Sequence, residues 1–378
     1  MMLQEGIKRL LADNSFFNPL QFNPQQGCYI YGAGDLGRLA IEYCEACNLP
    51  IIGLLDQNRC GVLNSKQGKA YKIEKPTAVA ASNKKIPVGV AIITQPYEPI
   101  RDHLYQCGWA HVFPFCSLAS GYLNGHPLRN GWVLGEVTKE EVKSVEWLCG
   151  NWSDDHSHKH YEAFIAWHRS NRELDLDPYT IRTDGRYVIP EVLNALSLRR
   201  KAFVDVGSHH AEAMIKFQKS GVIFNSYHLF EPDGTSNAFL NANYPKFLPR
   251  GSTITIANDV LGKNKTRAPF QEGLGYCSQL WGESDKQRDV VTLDSFRLSP
   301  DFLKVHTEGT ENAILQGAKE TVLRSRPCIA YSVYHRRDGF CNDIIKPMEI
   351  FPDYNWFFRL HSYQGCGAFV YAIPNEAC

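Results

Sequence analysis

Three groups of residues in this chain combine types and spacing that could do chemistry. In the first, Phe203-Val-Asp205-Val-Gly207 closes one apolar, β-prone run and Phe230-Glu231-Pro-Asp233 closes the next. A glycine after a strand lets the backbone approach a ligand. An acid capping the following strand, here 26 positions after Asp205, can accept both ribose hydroxyls of an adenosine. In the second group, His306 and His335 close two later strand-like runs, where an imidazole titrating near neutrality can act as a general base. Both could equally be imidazoles bonded to neighbouring backbone. The third group is Gly32-Ala-Gly34-Asp-Leu-Gly37 with Asp56 placed 19 positions after the last glycine, the spacing of a dinucleotide fingerprint. It has three readings: an NAD site with Asp56 on the ribose 2′-hydroxyl, a nucleotide-sugar site, or scaffolding with no ligand. No residues suited to hydride transfer accompany it, which favours the second and third readings over a dehydrogenase.

Other polar clusters are weaker as chemistry. His209, His210 and His306 could converge on a metal that polarises a hydroxyl, but spacing does not bring them together and no metal is assigned. The run Asp154-Asp-His-Ser-His-Lys-His160 reads as the capped polar start of a helix whose apolar face follows with Tyr161, Phe164 and Ile165. Cys44 and Cys47 have C-x-x-C spacing inside a helical pattern, with no second pair to complete a zinc site, so they read as buried helix-face thiols.

The elements that must position these groups form two series. Residues 1–25 suggest a short amphipathic helix and a connector rich in Phe, Asn and Pro. Strand-like runs at 28–31, 51–55, 88–94 and 111–115, with helical patterns between them, predict a small parallel α/β domain over residues 26–120. Residues 121–195 break the pattern and read as a helical connector. A second series then begins, with runs at 202–206, 227–230, 253–257, 302–306 and 328–334 and a helix over Thr310–Arg324, ended by Arg326-Pro327. Runs at 355–361 and 367–373 predict a closing antiparallel hairpin. The fold class is therefore α/β, with two doubly wound Rossmann-like domains, the second over residues 196–378.

Composition excludes several classes of function. Lys plus Arg number 40 and Asp plus Glu number 40, so there is no overall positive field to hold a phosphate backbone, and no nucleic-acid partner is expected. No apolar run approaches the roughly 18 residues that cross a bilayer. Glu5, Lys8 and Arg9 interrupt the amino-terminal apolar stretch, which argues against a signal peptide and for a cytoplasmic protein with reduced cysteines and no membrane partner.

Several longer blocks occur in a telling order: Phe203-Val-Asp-Val-Gly-Ser-His-His-Ala-Glu-Ala213, His228-Leu-Phe-Glu-Pro-Asp233, Val290-Val-Thr-Leu-Asp-Ser-Phe296 and Phe302-Leu-Lys-Val-His-Thr-Glu-Gly-Thr-Glu311. Leu315-Gln-Gly-Ala318, Pro327 and Tyr334-His-Arg-Arg-Asp338 follow. Over residues 150–375 the chain resembles the FkbM family of S-adenosylmethionine-dependent methyltransferases. The resemblance implies a class I methyltransferase fold for the second domain and transfer of a methyl group to a hydroxyl of a small molecule or sugar. It places Asp205, Gly207 and Ser208 along the methionine part of the cofactor, Glu231 on its ribose, and Asn258 and Asp259 near its adenine. Lys304, Glu308, Gly309 and Glu311 match the family motif after the fourth strand, where methyl and acceptor should meet, which makes His306, Glu308 and His335 the candidate catalytic residues. Two positions depart from the family: Ser-His-His-Ala211 follows Gly207 where a second glycine is usual, and His306 stands where aspartate is usual. Gly32, Gly34, Gly37 and Asp56 remain candidates for a second nucleotide or nucleotide sugar. The competing readings are an NAD-dependent oxidoreductase built on that turn, and a non-catalytic binding protein with a degenerate site. The sequence gives no oligomeric state.

Overall fold

The computed structural model describes residues 2–12, 23–120, 126, 128, 132–197, 200–274 and 277–377. Contacts divide the chain into two compact units. The first holds the chain up to Val137 with Glu162–Ile181 and Ser362–Gly367, and the second holds Thr138–Tyr161, Arg182–His361 and the chain from Ala368. The segment 121–195, expected as one connector, thus contributes to both. The amino-terminal helix spans Met2–Ala12, while the connector expected at residues 13–22 lies outside the described residues. Among the described residues, no helix is long and apolar enough to cross a membrane.

The first unit carries a six-stranded sheet of β1 (Cys28–Tyr31), β2 (Ile51–Leu55), β3 (Gly61–Asn64), β4 (Ala70–Glu74), β5 (Val88–Val90) and β6 (Val112–Pro114), in the order β3-β4-β2-β1-β5-β6. Five strands run parallel, and β3 is an antiparallel edge paired only with β4. That hairpin departs from the all-parallel expectation. Leu63, Tyr71 and Ile73 supply its buried side, but they are spread through a charged stretch whose alternation is too short to announce a strand. The Gly32–Gly37 turn joins β1 to the helix Asp35–Ala46, as its spacing predicts. Cys44 is buried on that helix and Cys47 closes it; burial raises both thiols above their ordinary range, so they are packing groups rather than thiolates.

The second unit is built on β7 (Ala202–Val206), β8 (Ser226–Phe230) and β9 (Thr253–Ala257), then β10 (Val260–Leu261), β11 (Thr266–Gln271), β12 (Gln279–Leu280) and β13 (Gln287–Val291), then β14 (Phe302–Val305), β15 (Cys328–Ser332), β16 (Tyr354–Leu360) and β17 (Ala368–Pro374). Seven of these make the main sheet in the order β9-β8-β7-β14-β15-β17-β16, while β10 to β13 form a separate four-stranded sheet. The first five strands of the main order are parallel, and β17 pairs antiparallel with both β15 and β16. The expected closing hairpin is present. The residues of β7, β14 and β15 are buried throughout, as expected of parallel strands covered on both faces. Phe203 and Phe302 stack across β7 and β14 at 5.5 Å between ring centroids, with Phe217 and Phe224 packed around them.

Strand order reverses between β7 and β14, and the crevice at the carboxyl ends of strands flanking such a switch is where α/β sheets bind ligands. The chain then needs the loops after β7, β8, β14 and β15 held firmly. One expected element is different here. The helix predicted over Thr310–Arg324 is two helices, Glu311–Gln316 and Lys319–Ser325. Asp294 divides them: its backbone N–H donates to the Gly317 carbonyl at 3.0 Å, and its carboxylate accepts from the Glu320 and Thr321 N–H groups at 3.1 and 2.8 Å. The aspartate of the Thr-Leu-Asp-Ser block is therefore a helix cap supplied from a distant loop. Replacing it by alanine should lower stability by about 0.5–2 kcal/mol. Asp294→Asn should retain most of that, and a urea midpoint unchanged in Asp294→Ala would refute the assignment.

Candidate active site

Asp205 on β7 and Lys304 on β14 are register partners at the switch point. Lys304 Nζ lies 2.8 Å from Asp205 Oδ1, and both side chains are almost entirely buried. The ammonium also donates to the Gly207 carbonyl. Burial pushes the Asp205 carboxyl up, with Lys304 offsetting part of the shift. Burial lowers Lys304 in turn, but the adjacent carboxylate outweighs it and holds the ammonium above its ordinary value. Among the described residues, no other side chain or backbone N–H donates to the Asp205 carboxylate.

The turn after β7 sits directly against β14. Gly207 has φ +76°, and a Cβ there would stand 2.0 Å from the His306 carbonyl oxygen, so only glycine fits. The rest of the turn forms without a second glycine, because His209 and Ala211 themselves adopt left-handed φ values of 46° and 60°. Each costs roughly 1–2 kcal/mol. The Ser208 hydroxyl donates to the Asp205 carbonyl at 2.8 Å, which ties the turn back to the strand. The His209 and His210 rings stack on each other at 3.8 Å, and His210 leans on Phe239.

Glu231, at the end of β8, is the acid facing this turn. Its Oε2 accepts from the His209 N–H at 2.6 Å and its Oε1 from the Asp233 N–H at 2.9 Å. Burial drives its carboxyl from 4.5 up to about 7, and these backbone bonds offset only part of that. Each oxygen retains capacity for a further donor. Asp233 instead caps the next helix through Ser236 and holds Gly273 and Ser278. Asn258, expected near an adenine, braces the β8 loop: its amide donates to the Glu231 and Pro232 carbonyls at 3.0 and 3.2 Å, and its Oδ1 accepts from Arg288 at 2.7 Å. Asp259 follows it, half-buried, immediately before β10.

The loops after β14 and β15 bring His306, Glu308, Glu311, Tyr334 and His335 together. Glu308 adopts φ 59°, a left-handed conformation. Its Oε1 lies 3.1 Å from His335 Nε2 and 3.8 Å from His306 Nε2. Glu311 Oε1 lies 3.1 Å from His335 Nδ1, and the Glu311 carboxylate is pinned by the Ser332 hydroxyl at 2.7 Å and the Thr307 and Gly309 N–H groups at 3.0 and 2.9 Å. Burial lowers the His335 pKa, but the two carboxylates overcome it and raise it to about 10. His335 is thus held as an imidazolium near neutral pH by its two carboxylate neighbours. His306 is the opposite case: burial first, then the positive charges of His335 and Lys304, push it well below 6.5, so it is neutral. Its Nδ1 is 3.0 Å from the Tyr187 hydroxyl and its Nε2 is 3.0 Å from that of Tyr334.

Tyr187 was not legible as a site residue. It lies in the segment read as connector, with φ +74°, and no motif announces it. The metal set of His209, His210 and His306 does not form: among the described residues, the His, Cys, Asp and Glu atoms that cluster closely enough belong to His306, Glu308 and His335.

In the first unit, the fingerprint turn is closed by its own residues. Asp56 Oδ2 accepts from the Ala33 N–H at 2.9 Å, and Oδ1 accepts from Asn58 and Arg59 N–H at 2.8 and 3.0 Å. Arg59 reaches back to donate to the Ala33 carbonyl at 3.0 Å. The Gly37 position packs against the Gly32 carbonyl, where a Cβ would stand at 1.9 Å, while Gly34 has open space around it. The acid expected on a ribose is committed to holding the turn, which matches the scaffolding reading rather than a second nucleotide or nucleotide-sugar site.

Residues 205–363 match the family model for the methyltransferase FkbM domain. Among solved structures, the chain is similar to the crystal structure of methyltransferase FkbM from Methylobacillus flagellatus KT, with a TM-score of 0.65, 18% identity and 98% of each chain covered. No curated protein matches the chain.

The buried pair makes a direct prediction. Lys304→Met strands a buried carboxylate and should cost about 3–5 kcal/mol, while adding Asp205→Asn to it should recover a large part of that loss. Denaturant unfolding of the two variants checks this; a double variant no more stable than Lys304→Met would show that charge is not the cause.

Proposed function

We propose that the methyltransferase FkbM domain carried by residues 205–363 binds S-adenosylmethionine at the ends of β7 and β8 and directs methyl transfer to a hydroxyl oxygen of a small molecule or sugar at the ends of β14 and β15. The observation that carries the reading is Glu231. Among the described residues no salt bridge reaches this buried carboxylate, which is fixed by one backbone N–H on each oxygen and able to accept one more donor on each. That is the receptor a ribose diol needs.

The sulfonium of the cofactor supplies an electrophilic methyl group, so the protein's task is to align an acceptor oxygen and exclude water. Lys304 and Asp205 neutralise each other beneath the site and fix the spacing of β7 and β14. Glu311 and Glu308 hold His335 as a fixed positive charge. Burial, reinforced by that charge and Lys304, keeps His306 unprotonated, and to take the acceptor's proton its Nε2 would exchange the Tyr334 hydroxyl for the acceptor's. The hydroxyls of Tyr187 and Tyr334 fix the plane of its ring. An oxygen acceptor suits this polar lining.

Calorimetric titration with S-adenosylhomocysteine tests the reading. The wild type should bind it, and Glu231→Ala should weaken binding by roughly tenfold or more, the worth of hydrogen bonds to a charged group. Absence of binding in the wild type, or unchanged affinity in the variant, would overturn the assignment. The pH dependence follows from the raised carboxyl. In the free protein, the stability Glu231 contributes is present at low pH and lost as pH rises through about 7. Two ribose hydroxyls can donate one to each oxygen only when the carboxyl is ionised, so affinity should rise as pH climbs through the same value. In Glu231→Gln that rise should vanish.

A further inference from the structure

The loops after β14 and β15 carry the geometry of a metal site. His306 Nε2, Glu308 Oε1 and His335 Nε2 lie within 4.8 Å of one another, with 3.1 Å between Glu308 and His335 and 3.8 Å between Glu308 and His306. Ligand atoms bound to one tetrahedral ion at about 2.0–2.2 Å stand roughly 3.3–3.6 Å apart, and the two separations that Glu308 makes bracket that spacing.

The surroundings of the three residues point the same way. A metal-binding imidazole characteristically gives its other ring nitrogen to a carboxylate or similar fixed group, which sets the ring's orientation. His335 Nδ1 meets Glu311, whose carboxylate is itself pinned by Ser332, Thr307 and Gly309. His306 Nδ1 meets the Tyr187 hydroxyl. His335 is buried and its Nε2 is turned onto Glu308 Oε1 at 3.1 Å, so the two atoms already face the same point.

We propose that His306, Glu308 and His335 bind a divalent transition ion of the zinc class through two imidazole nitrogens and one carboxylate oxygen, leaving a coordination position open. Two histidines, one carboxylate and an open position are the donor set of catalytic rather than structural zinc sites. Binding releases to solvent the proton that His335 shares with the carboxylates in the metal-free protein. The ion then supports the acceptor: a hydroxyl at the open position becomes more acidic, and this takes over the work of the free His306 imidazole. That role rests on the methyl-transfer reading; the site does not.

The test starts from the full chain, stripped with a chelator and titrated with Zn2+ by calorimetry and with Co2+ by visible absorption. One equivalent should bind at micromolar concentration or tighter. Bound Co2+ should show the d–d bands of a four- or five-coordinate nitrogen–oxygen site, without thiolate charge-transfer bands. His306→Ala and Glu308→Gln should each weaken Zn2+ binding at least tenfold, and Glu311→Gln by roughly 10–100-fold. His156→Ala, which alters the other close histidine pair, His156–His160, should leave it unchanged. No binding by the wild type, thiolate bands in the Co2+ spectrum, or loss of the equivalent in His156→Ala would overturn the proposal. The wild-type Co2+ spectrum decides the ligand set even if a variant fails to fold. Binding of S-adenosylhomocysteine to the stripped protein, measured separately, shows whether the methyltransferase reading stands without the ion.

Discussion

The Asp205–Lys304 pair is the constraint on which the rest of the site depends. Two charges that are almost wholly buried must stay together, because an unpaired one in that position would cost several kcal/mol. Their pairing locks the register of β7 against β14 at the point where strand order reverses. Gly207 can then lie against the His306 carbonyl, and the turn that follows can present the His209 N–H to Glu231. One ion pair thereby positions both the acid at the end of β8 and the histidine at the end of β14.

The same buried charge divides the labour between two imidazoles. His306 and His335 lie 5.3 Å apart between ring centroids, the second buried and the first half-buried. Two carboxylates outweigh burial at His335 and hold it charged, while burial, with the positive charges of His335 and Lys304 behind it, keeps His306 neutral. Similar residues at neighbouring strand ends become a fixed charge and a proton acceptor through their neighbours alone. A histidine at position 306 places an imidazole nitrogen, rather than a carboxylate oxygen, within 3.8 Å of Glu308 and beside His335.

The sequence made the frame legible because apolar runs ending in acids and glycines leave few alternatives to parallel α/β strands. The strand ends Asp205, Glu231 and His306 followed from it directly. What stayed hidden depended on contacts between distant segments. Asp56 has the type and spacing of a ribose-binding acid, but Asn58 and Arg59 turn their N–H groups onto it, a feature that spacing cannot carry. Asn258 looks like a ligand residue until Arg288 and the β8 carbonyls are seen to occupy it. The helix break at Gly317 is imposed by Asp294 from another loop, and Tyr187 reaches His306 across 119 positions.

A crystal structure of the chain grown with S-adenosylhomocysteine tests the central claim most directly. The account predicts the nucleoside at the ends of β7 and β8, with both ribose hydroxyls on the Glu231 carboxylate. A nucleoside seated in the Gly32–Gly37 turn, or one lying away from Glu231, would contradict it.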